Sequence, residues 1–167
     1  MPNLPDKPEQ PNMTTEPPLV HRDAFLIVGM RITTQPMASD IPALWQAFVP
    51  QIGEIKNVAE PRVSYGLMDN FDRVGGSLEY MAGISISCLE NLPGGMTMME
   101  IPSNTYAVFE AALPRIGEVF GHIFNTWLPT SGFDQADAPY FERYGEEFDP
   151  ADPAAVVEIF IPIKPQG

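Results

Sequence analysis

The stretch Ala138-Pro139-Tyr140-Phe141-Glu142-Arg143-Tyr144 places two tyrosine rings and, midway between them, the carboxylate of Glu142 at alternate positions. This alternation predicts a short β-strand, in which successive side chains point to opposite faces. Tyr140, Glu142 and Tyr144 would then share one face. A carboxylate flanked by phenol rings suits an amphipathic cation, because the charge pairs with the ligand while the rings contact its apolar surface. The alternative is an edge strand whose Glu142 lies in water.

Composition narrows the class of protein. The chain has 167 residues, which suits one domain, and 44% of them are hydrophobic, enough for a substantial core. Nine basic residues against 22 acidic ones give a formal net charge of −13. An acidic surface repels phosphate backbones, which argues against direct nucleic-acid binding. It favours a cationic ligand or a basic protein partner, although a role in solubility alone also explains it.

Reactive and metal-binding residues are scarce. One cysteine, Cys88, excludes a disulfide within the chain and predicts a reducing cytoplasm. Cys88 lies in an apolar run and is interpreted as a small buried hydrophobe. Two separated histidines, His21 and His122, predict no metal site, and no phosphate loop or dinucleotide motif predicts a cofactor. No signal pattern and no apolar run of about 18 residues indicates a membrane segment.

The first 20 residues differ in composition from the rest. Residues 1–20 contain six prolines among polar side chains. Such a segment cannot bury enough apolar surface to order itself, so we predict a disordered leader followed by one folded domain at 21–167. A leader of this length is too short for a helix-turn-helix module, which predicts a stand-alone protein without a DNA-binding half.

The folded part reads as two units with the same order of elements, namely a strand, a helix and two further strands. Runs of β-branched and aromatic residues predict the strands. Apolar residues at helical spacing predict the helices, as with Ile41, Leu44 and Phe48. The units span about 22–90 and 95–164. This internal repeat predicts an α+β fold with a pseudo-two-fold axis and a cleft between the halves, where ligands commonly bind.

The two units also align in detail. Phe71-Asp72 and Phe148-Asp149 each follow the second strand of a unit. An alignment on these pairs makes Tyr65 the counterpart of Glu142. The cleft would therefore receive Tyr65 from one unit and Glu142 from the other.

Several short motifs, in a fixed order, give the chain a wider resemblance that covers most of residues 22–164. They are Leu44-Trp45-Gln46-Ala47-Phe48, Tyr65-Gly66, Glu79-Tyr80-Met81-Ala82-Gly83-Ile84, Met99-Glu100-Ile101-Pro102-Ser103-Asn104-Thr105-Tyr106-Ala107-Val108-Phe109, Trp127-Leu128-Pro129-Thr130-Ser131-Gly132, Phe141-Glu142-Arg143-Tyr144 and Val157-Glu158-Ile159-Phe160-Ile161-Pro162-Ile163-Lys164. Together they resemble the GyrI-like effector-binding domain, the ligand-binding half of many bacterial transcription regulators of the AraC and MerR types.

The resemblance implies a duplicated fold with a curved antiparallel sheet, two main helices and a central pocket whose acidic centre is Glu142. Domains of this kind engage cationic, hydrophobic compounds, including dyes and drugs. We expect aromatic side chains to line the pocket beside the carboxylate. The predicted ligand-binding residues are Glu142, Tyr144, Tyr65, Tyr106, Phe160 and Trp127.

Three functions remain open at this point. The first is a non-enzymatic binding module for amphipathic cations, acting in transcription regulation or drug sequestration. The second is a hydrolase of cyclopropane-bearing genotoxins, in which Glu142 is the general base and Tyr65 and Trp127 lie beside it. The third is a protein that modulates DNA gyrase or a regulator through its acidic surface. Residue types alone do not separate the first two, because both need a carboxylate among aromatic rings.

Overall fold

The computed structural model of the protein describes residues 16–72 and 74–166. The β-strands of this part are β1 (Leu19–Arg22), β2 (Phe25–Thr34), β3 (Ser64–Asp69), β4 (Leu78–Ile86), β5 (Thr97–Ile101), β6 (Asn104–Ala112), β7 (Phe133–Gln135), β8 (Tyr140–Tyr144) and β9 (Val156–Pro165). The α-helices are α1 (Asp40–Phe48), α2 (Ile116–His122) and α3 (Leu128–Thr130).

All the strands belong to one antiparallel sheet. Neighbouring strands in the sheet follow the order β1-β6-β9-β8-β3-β4-β2-β5, and β7 also pairs with β9. β2, α1, β3 and β4 form one unit, β6, α2, β8 and β9 form the other, and the two units meet where β3 pairs with β8. The predicted fold class is therefore confirmed: a duplicated strand-helix-strand-strand arrangement with a curved antiparallel sheet and two main helices.

Each unit is preceded by a short strand that pairs with the other unit. β1 pairs with β6 from Leu19↔Ala107 onward, and β2 pairs with β5 from Phe25↔Ile101 onward. The register is the same on both sides of the break, so β1–β2 and β5–β6 form one interrupted two-stranded ladder. This ladder connects the two ends of the strand order, and the sheet curls as a result.

The two helical regions end at residues that disfavour a continued α-helix. α1 ends at Phe48 and continues as a 3-10 turn at Val49–Glu54. Pro50 lies at the start of that turn because it lacks the N–H that an α-helix interior needs. α2 continues through a π turn into α3, and Gly132, with φ of 84°, follows the last helical turn.

The structure differs from the sequence-based predictions at three points. β1 begins within the segment 1–20 that was predicted to be disordered, of which residues 1–15 lie outside the described residues. β1 is ordered by pairing with β6, a long-range contact that local composition does not reveal. The short strand β7 was also missed. Cys88 is exposed rather than buried, because β4 ends at Ile86 and the chain bends away.

The curled sheet buries apolar side chains on both faces. One face packs against α1 and α2. The other face is filled by the sheet's own side chains, including Tyr65, Tyr106 and Phe160. Phe25 on β2 contacts Phe141 on β8 with ring centroids 5.8 Å apart, although β3 and β4 lie between those strands in the sheet. The sheet therefore wraps around this second cluster, which we call the inner cluster, and the helices lie on the outside.

We predict that Gly29 is required for the close pairing of β2 with β4. A β-carbon on Gly29 would lie 1.9 Å from the carbonyl oxygen of Ala82, and backbone cannot yield as a flexible side chain can. Gly29→Ala should therefore lower the free energy of unfolding by about 1–3 kcal/mol, or prevent folding.

Gly53→Ala is the matched control, because a β-carbon there meets nothing within 4 Å. It should change the free energy of unfolding by less than about 1 kcal/mol. Denaturant unfolding of both variants measures the difference, and equal stabilities would contradict the steric argument.

Candidate functional site

An open cavity of about 1620 Å³ lies between the sheet and helices α1 and α2. Most small-molecule pockets have volumes of roughly 300–1,000 Å³, so this one has room for a bulky ligand. Its walls are mainly apolar and aromatic. The residues that line it include Met68, Tyr80, Tyr140, Glu142 and Tyr144 on β3, β4 and β8, Ile41 and Trp45 on α1, Gly117, Phe120 and Gly121 on α2, and Phe124 in the π turn that follows α2.

The cavity contains one buried carboxylate. Glu142 is 6% exposed, and its Oε1 accepts hydrogen bonds from the Tyr144 hydroxyl at 2.8 Å and the Tyr80 hydroxyl at 3.1 Å. Within residues 16–72 and 74–166, no Lys, Arg or His forms an ion pair with it. A carboxylate removed from water without a cationic partner is unfavourable. The cavity thus presents a carboxylate that two phenols stabilise and that no cation of the described residues neutralises.

Burial controls the protonation of these groups. Burial raises the pKa of the Glu142 carboxyl above its ordinary value, and the hydrogen bonds from Tyr144 and Tyr80 lower it by a smaller amount. Burial, and next the charge of Glu142, raise the pKa of both Tyr144 and Tyr80. Both phenols therefore keep their protons and continue to donate them to Glu142.

Trp45 on α1 extends this hydrogen-bond chain. Its indole Nε1 donates to the Tyr80 hydroxyl at 2.9 Å. Because an indole N–H only donates, the Tyr80 oxygen accepts from Trp45 and directs its own proton to Glu142. The Trp45 ring also contacts the ring of Tyr144, with centroids 5.4 Å apart. Trp45 therefore contacts both phenols that hold the carboxylate.

Gly66 makes room for the network. It pairs directly with Glu142 across β3 and β8. A β-carbon at this position would lie 2.2 Å from the Tyr80 hydroxyl and 2.7 Å from Glu142 Oε1. Any larger residue would therefore displace the hydroxyl from the carboxylate.

Tyr65, predicted to enter the same cleft, lies on the other face of the sheet. It pairs with Arg143, and directly opposed residues of antiparallel strands share a face. The alignment of the two units was therefore one residue out of register, a slip that moves a side chain to the opposite face. The Tyr65 hydroxyl donates to Glu60 at 2.5 Å and accepts from Arg22 at 3.1 Å, away from the cavity.

Tyr106 and Phe160 also lie in the inner cluster rather than beside Glu142. Both contact Phe141, with ring centroids 5.2 Å and 4.8 Å apart respectively. Burial raises the pKa of Tyr106 to about 12, and its hydroxyl has no hydrogen-bond partner in the described part of the chain. Phe160 alternates with Ile159 along β9, and the face to which Phe160 points is the interior of the curled sheet.

Trp127 packs against Phe109 in the core beneath the second helical region, with ring centroids 5.2 Å apart. Of the predicted site residues, Glu142 and Tyr144 come together at the cavity, as the alternation on their strand predicts. Tyr80 was missed as a site residue. It faces the cavity because it pairs with Met68, and this cross-strand register is not readable from local sequence.

The described residues also bear on metal binding and on membrane insertion. Within this part of the chain, no group of three or more His, Cys, Asp or Glu side chains is arranged to hold a metal ion. None of the described helices is long and apolar enough to cross a membrane.

The duplicated α+β fold with an open cavity on its helical face is that of an effector-binding domain. Residues 18–163 match the model of the Cass2 family, described as integron-associated effector binding protein. The chain belongs to this family, and the predicted relation to GyrI-like effector-binding domains is confirmed.

Similar proteins include the transcriptional regulator BrlR of Pseudomonas aeruginosa, which is 33% identical over 148 residues. That match covers 87% of this chain and 54% of BrlR, so the chain spans about half the length of this curated relative. Among solved structures, SAV2435 bound to tetraphenylphosphonium aligns with a TM-score of 0.68 and 21% identity, over 90% of this chain and 94% of that one. The Vibrio cholerae integron cassette protein VCH_CASS2 aligns with a TM-score of 0.62 and 18% identity, over 90% and 97%. The two structures share the fold.

We predict that ionisation of Glu142 destabilises the empty protein. Burial raises the pKa of this carboxyl above its ordinary value of 4.5, so the folded state holds the proton more tightly than the unfolded chain. That stabilisation is complete below pH 4.5 and is lost as the pH rises through the raised pKa. The melting temperature of Glu142→Gln, measured relative to the natural protein without ligand, should therefore increase as the pH rises from acid to neutral.

Glu100→Gln controls for the change in net charge, because Glu100 is an exposed residue on β5. Its melting temperature should follow that of the natural protein across the same series. If the difference in melting temperature between Glu142→Gln and the natural protein stays constant with pH, the raised pKa assigned to Glu142 is contradicted.

Proposed function

We propose that this protein binds amphipathic, hydrophobic cations in the cavity, with Glu142 as the centre of negative charge. The observation that carries this proposal is a buried carboxylate, without an ion-pair partner in the described chain, in the wall of an aromatic cavity. A bound cation would supply the missing countercharge. The aromatic side chains around it would contact the ligand's apolar surface.

The magnitudes favour a cation over a neutral ligand. A unit positive charge about 4 Å from the carboxylate gains roughly 4 kcal/mol at an effective dielectric of about 20, before desolvation is subtracted. A good cation–π contact with a cavity ring such as Trp45 or Tyr140 would add about 0.5–2 kcal/mol. None of these interactions requires a fixed pattern of hydrogen bonds from the ligand. We therefore expect the protein to accept cations of several shapes.

The relatives support the ligand class and the biological setting. SAV2435 is similar in fold and its structure contains tetraphenylphosphonium, a bulky aromatic cation. BrlR is a transcriptional regulator and shares the matched region. A role for this chain in transcription regulation or in drug sequestration is accordingly part of the proposal.

The other two functions receive less support. A hydrolase that uses Glu142 as a base was expected to have Tyr65 and Trp127 beside it, and neither of them lines the cavity. Recognition of gyrase or a regulator through the acidic surface would not depend on Glu142. That alternative therefore predicts a partner interaction that survives Glu142→Gln and weakens at high salt.

Calorimetric titration with tetraphenylphosphonium tests the proposal. We expect Glu142→Gln to weaken its binding by about tenfold or more, equivalent to about 1.4 kcal/mol or more. Binding of the neutral analogue triphenylphosphine oxide should change much less, because it carries no net charge to pair with Glu142.

Tyr106→Phe is the matched control for this titration. It removes a buried hydroxyl that has no described partner and that lies in the inner cluster, so neither the fold nor the affinity should change appreciably. If Glu142→Gln binds tetraphenylphosphonium with unchanged affinity, Glu142 is excluded as the charge centre. A loss of affinity in Tyr106→Phe would instead locate the ligand on the other face.

A further inference from the structure

The loop between β2 and α1 contains a residue in an unfavourable backbone conformation. The N–H of Ala38 donates to the carbonyl of Gln35 at 3.1 Å, which closes a four-residue turn. Pro36 is the second residue of this turn and Met37 is the third. Met37 has φ of 61°, in the left-handed region that glycine normally supplies at the third position of such a turn. A methionine there is strained, and strain of this kind often marks a functional position.

The ends of the loop are fixed. The Thr34 hydroxyl, at the end of β2, donates to the Asp40 carboxylate at the start of α1. The N–H of Ile41 donates to the carbonyl of Ala38 at 3.2 Å. Both ends of the turn are therefore held by hydrogen bonds, and the exposed side chain of Met37 projects from it.

That side chain reaches across the mouth of the cavity. Met37 is 68% exposed and lines the cavity. Its terminal methyl lies 3.8 Å from the position that a β-carbon on Gly117 would occupy. Gly117 belongs to α2, whereas Met37 lies three residues before the start of α1. The side chain of Met37 therefore extends from the α1 side of the cavity towards α2.

Gly117 is unfavourable in its own element. Glycine inside a helix is less stable than alanine, because it loses more conformational freedom on folding. The methyl of Met37 is the one described atom that a β-carbon on Gly117 would meet within 4 Å, and that distance is an ordinary van der Waals contact. Two locally unfavourable residues thus meet each other at the cavity mouth.

We propose that Met37 is a gate and a specificity-determining residue of the cavity. Its side chain turns away from Gly117 to admit a ligand and then packs over the ligand that has entered. An unbranched thioether adapts to surfaces of different shape, so this gate would accept varied apolar ligands and slow their release. The proposal rests on the cavity being the binding site proposed above, but it does not depend on the charge of Glu142.

Stopped-flow kinetics with two ligands tests the gate. Tetraphenylphosphonium reports on cations, and the neutral dye Nile red reports on access to the cavity regardless of charge. Met37→Ala and Met37→Gly should each speed dissociation of both probes by about threefold or more, since affinity changes are mostly expressed in the dissociation rate. Met98→Ala is the matched control, because Met98 is an exposed methionine on β5, outside the cavity, and should leave the rates unchanged.

Two further variants separate a gate from a residue that only shapes the turn. Met37→Gly relieves the backbone strain, so it should raise the melting temperature while speeding release. Gly117→Ala adds the β-carbon that Met37 would contact, and should slow release of both probes.

Each outcome decides between the proposals. A higher melting temperature in Met37→Gly with unchanged rates would overturn the gate. If Nile red binds with the expected rate changes and tetraphenylphosphonium does not bind, the cation function is overturned and the gate is supported. If neither probe binds the natural protein, the cavity admits no ligand and the gate is overturned as well.

Discussion

The pairing of β3 with β8 is the constraint on which the site depends. These strands join the two units, and their register sets Gly66 opposite Glu142. With that register, Glu142 faces the helices and the missing side chain of Gly66 leaves space for the Tyr80 hydroxyl. A shift of one residue would turn Glu142 into the inner cluster, where Arg22 already occupies an aromatic environment. The site is therefore created by an interface between units rather than by either unit alone.

The curl of the sheet gives its two faces different roles. The interrupted ladder of β1–β2 with β5–β6 brings the ends of the sheet together, so the inner face closes on its own side chains without a helix. Those rings contact one another closely, as with Phe141 and Phe160, whose centroids are 4.8 Å apart. The outer face is covered by two separate helices, and the gap between them is the cavity. The inner face is thus closely packed, whereas the outer face leaves room for the cavity.

Local sequence patterns predicted the elements but not their register. The alternation around Glu142 gave the strand, the shared face with Tyr144 and the candidate charge centre, because strand geometry is a local property. Tyr65 was assigned to the cavity by the alignment of the two units, and Tyr106 and Phe160 as aromatic residues, yet the pairing of distant strands decides the face of each. β1 was missed for the same reason, since its order comes from a partner about 85 residues away, as in Leu19↔Ala107. The composition of a segment does not show which distant strand it pairs with.

Some locally unfavourable residues of this chain have a packing reason, and others that lie around the cavity have none. At the pairing of β2 with β4, Gly29 is explained by close backbone packing alone. Around the cavity, Glu142 lacks a described countercharge, and Met37 and Gly117 are unsuited to their own elements. None of these three choices relieves a steric conflict in the empty protein, and alternatives that lack the charge, the strain or the glycine would favour the fold. Departures from local rules that gather at one cavity, without a packing reason, are the pattern expected of a binding site. Met37 and Gly117 thus favour binding at this cavity independently of the charge argument, to which Glu142 already belongs.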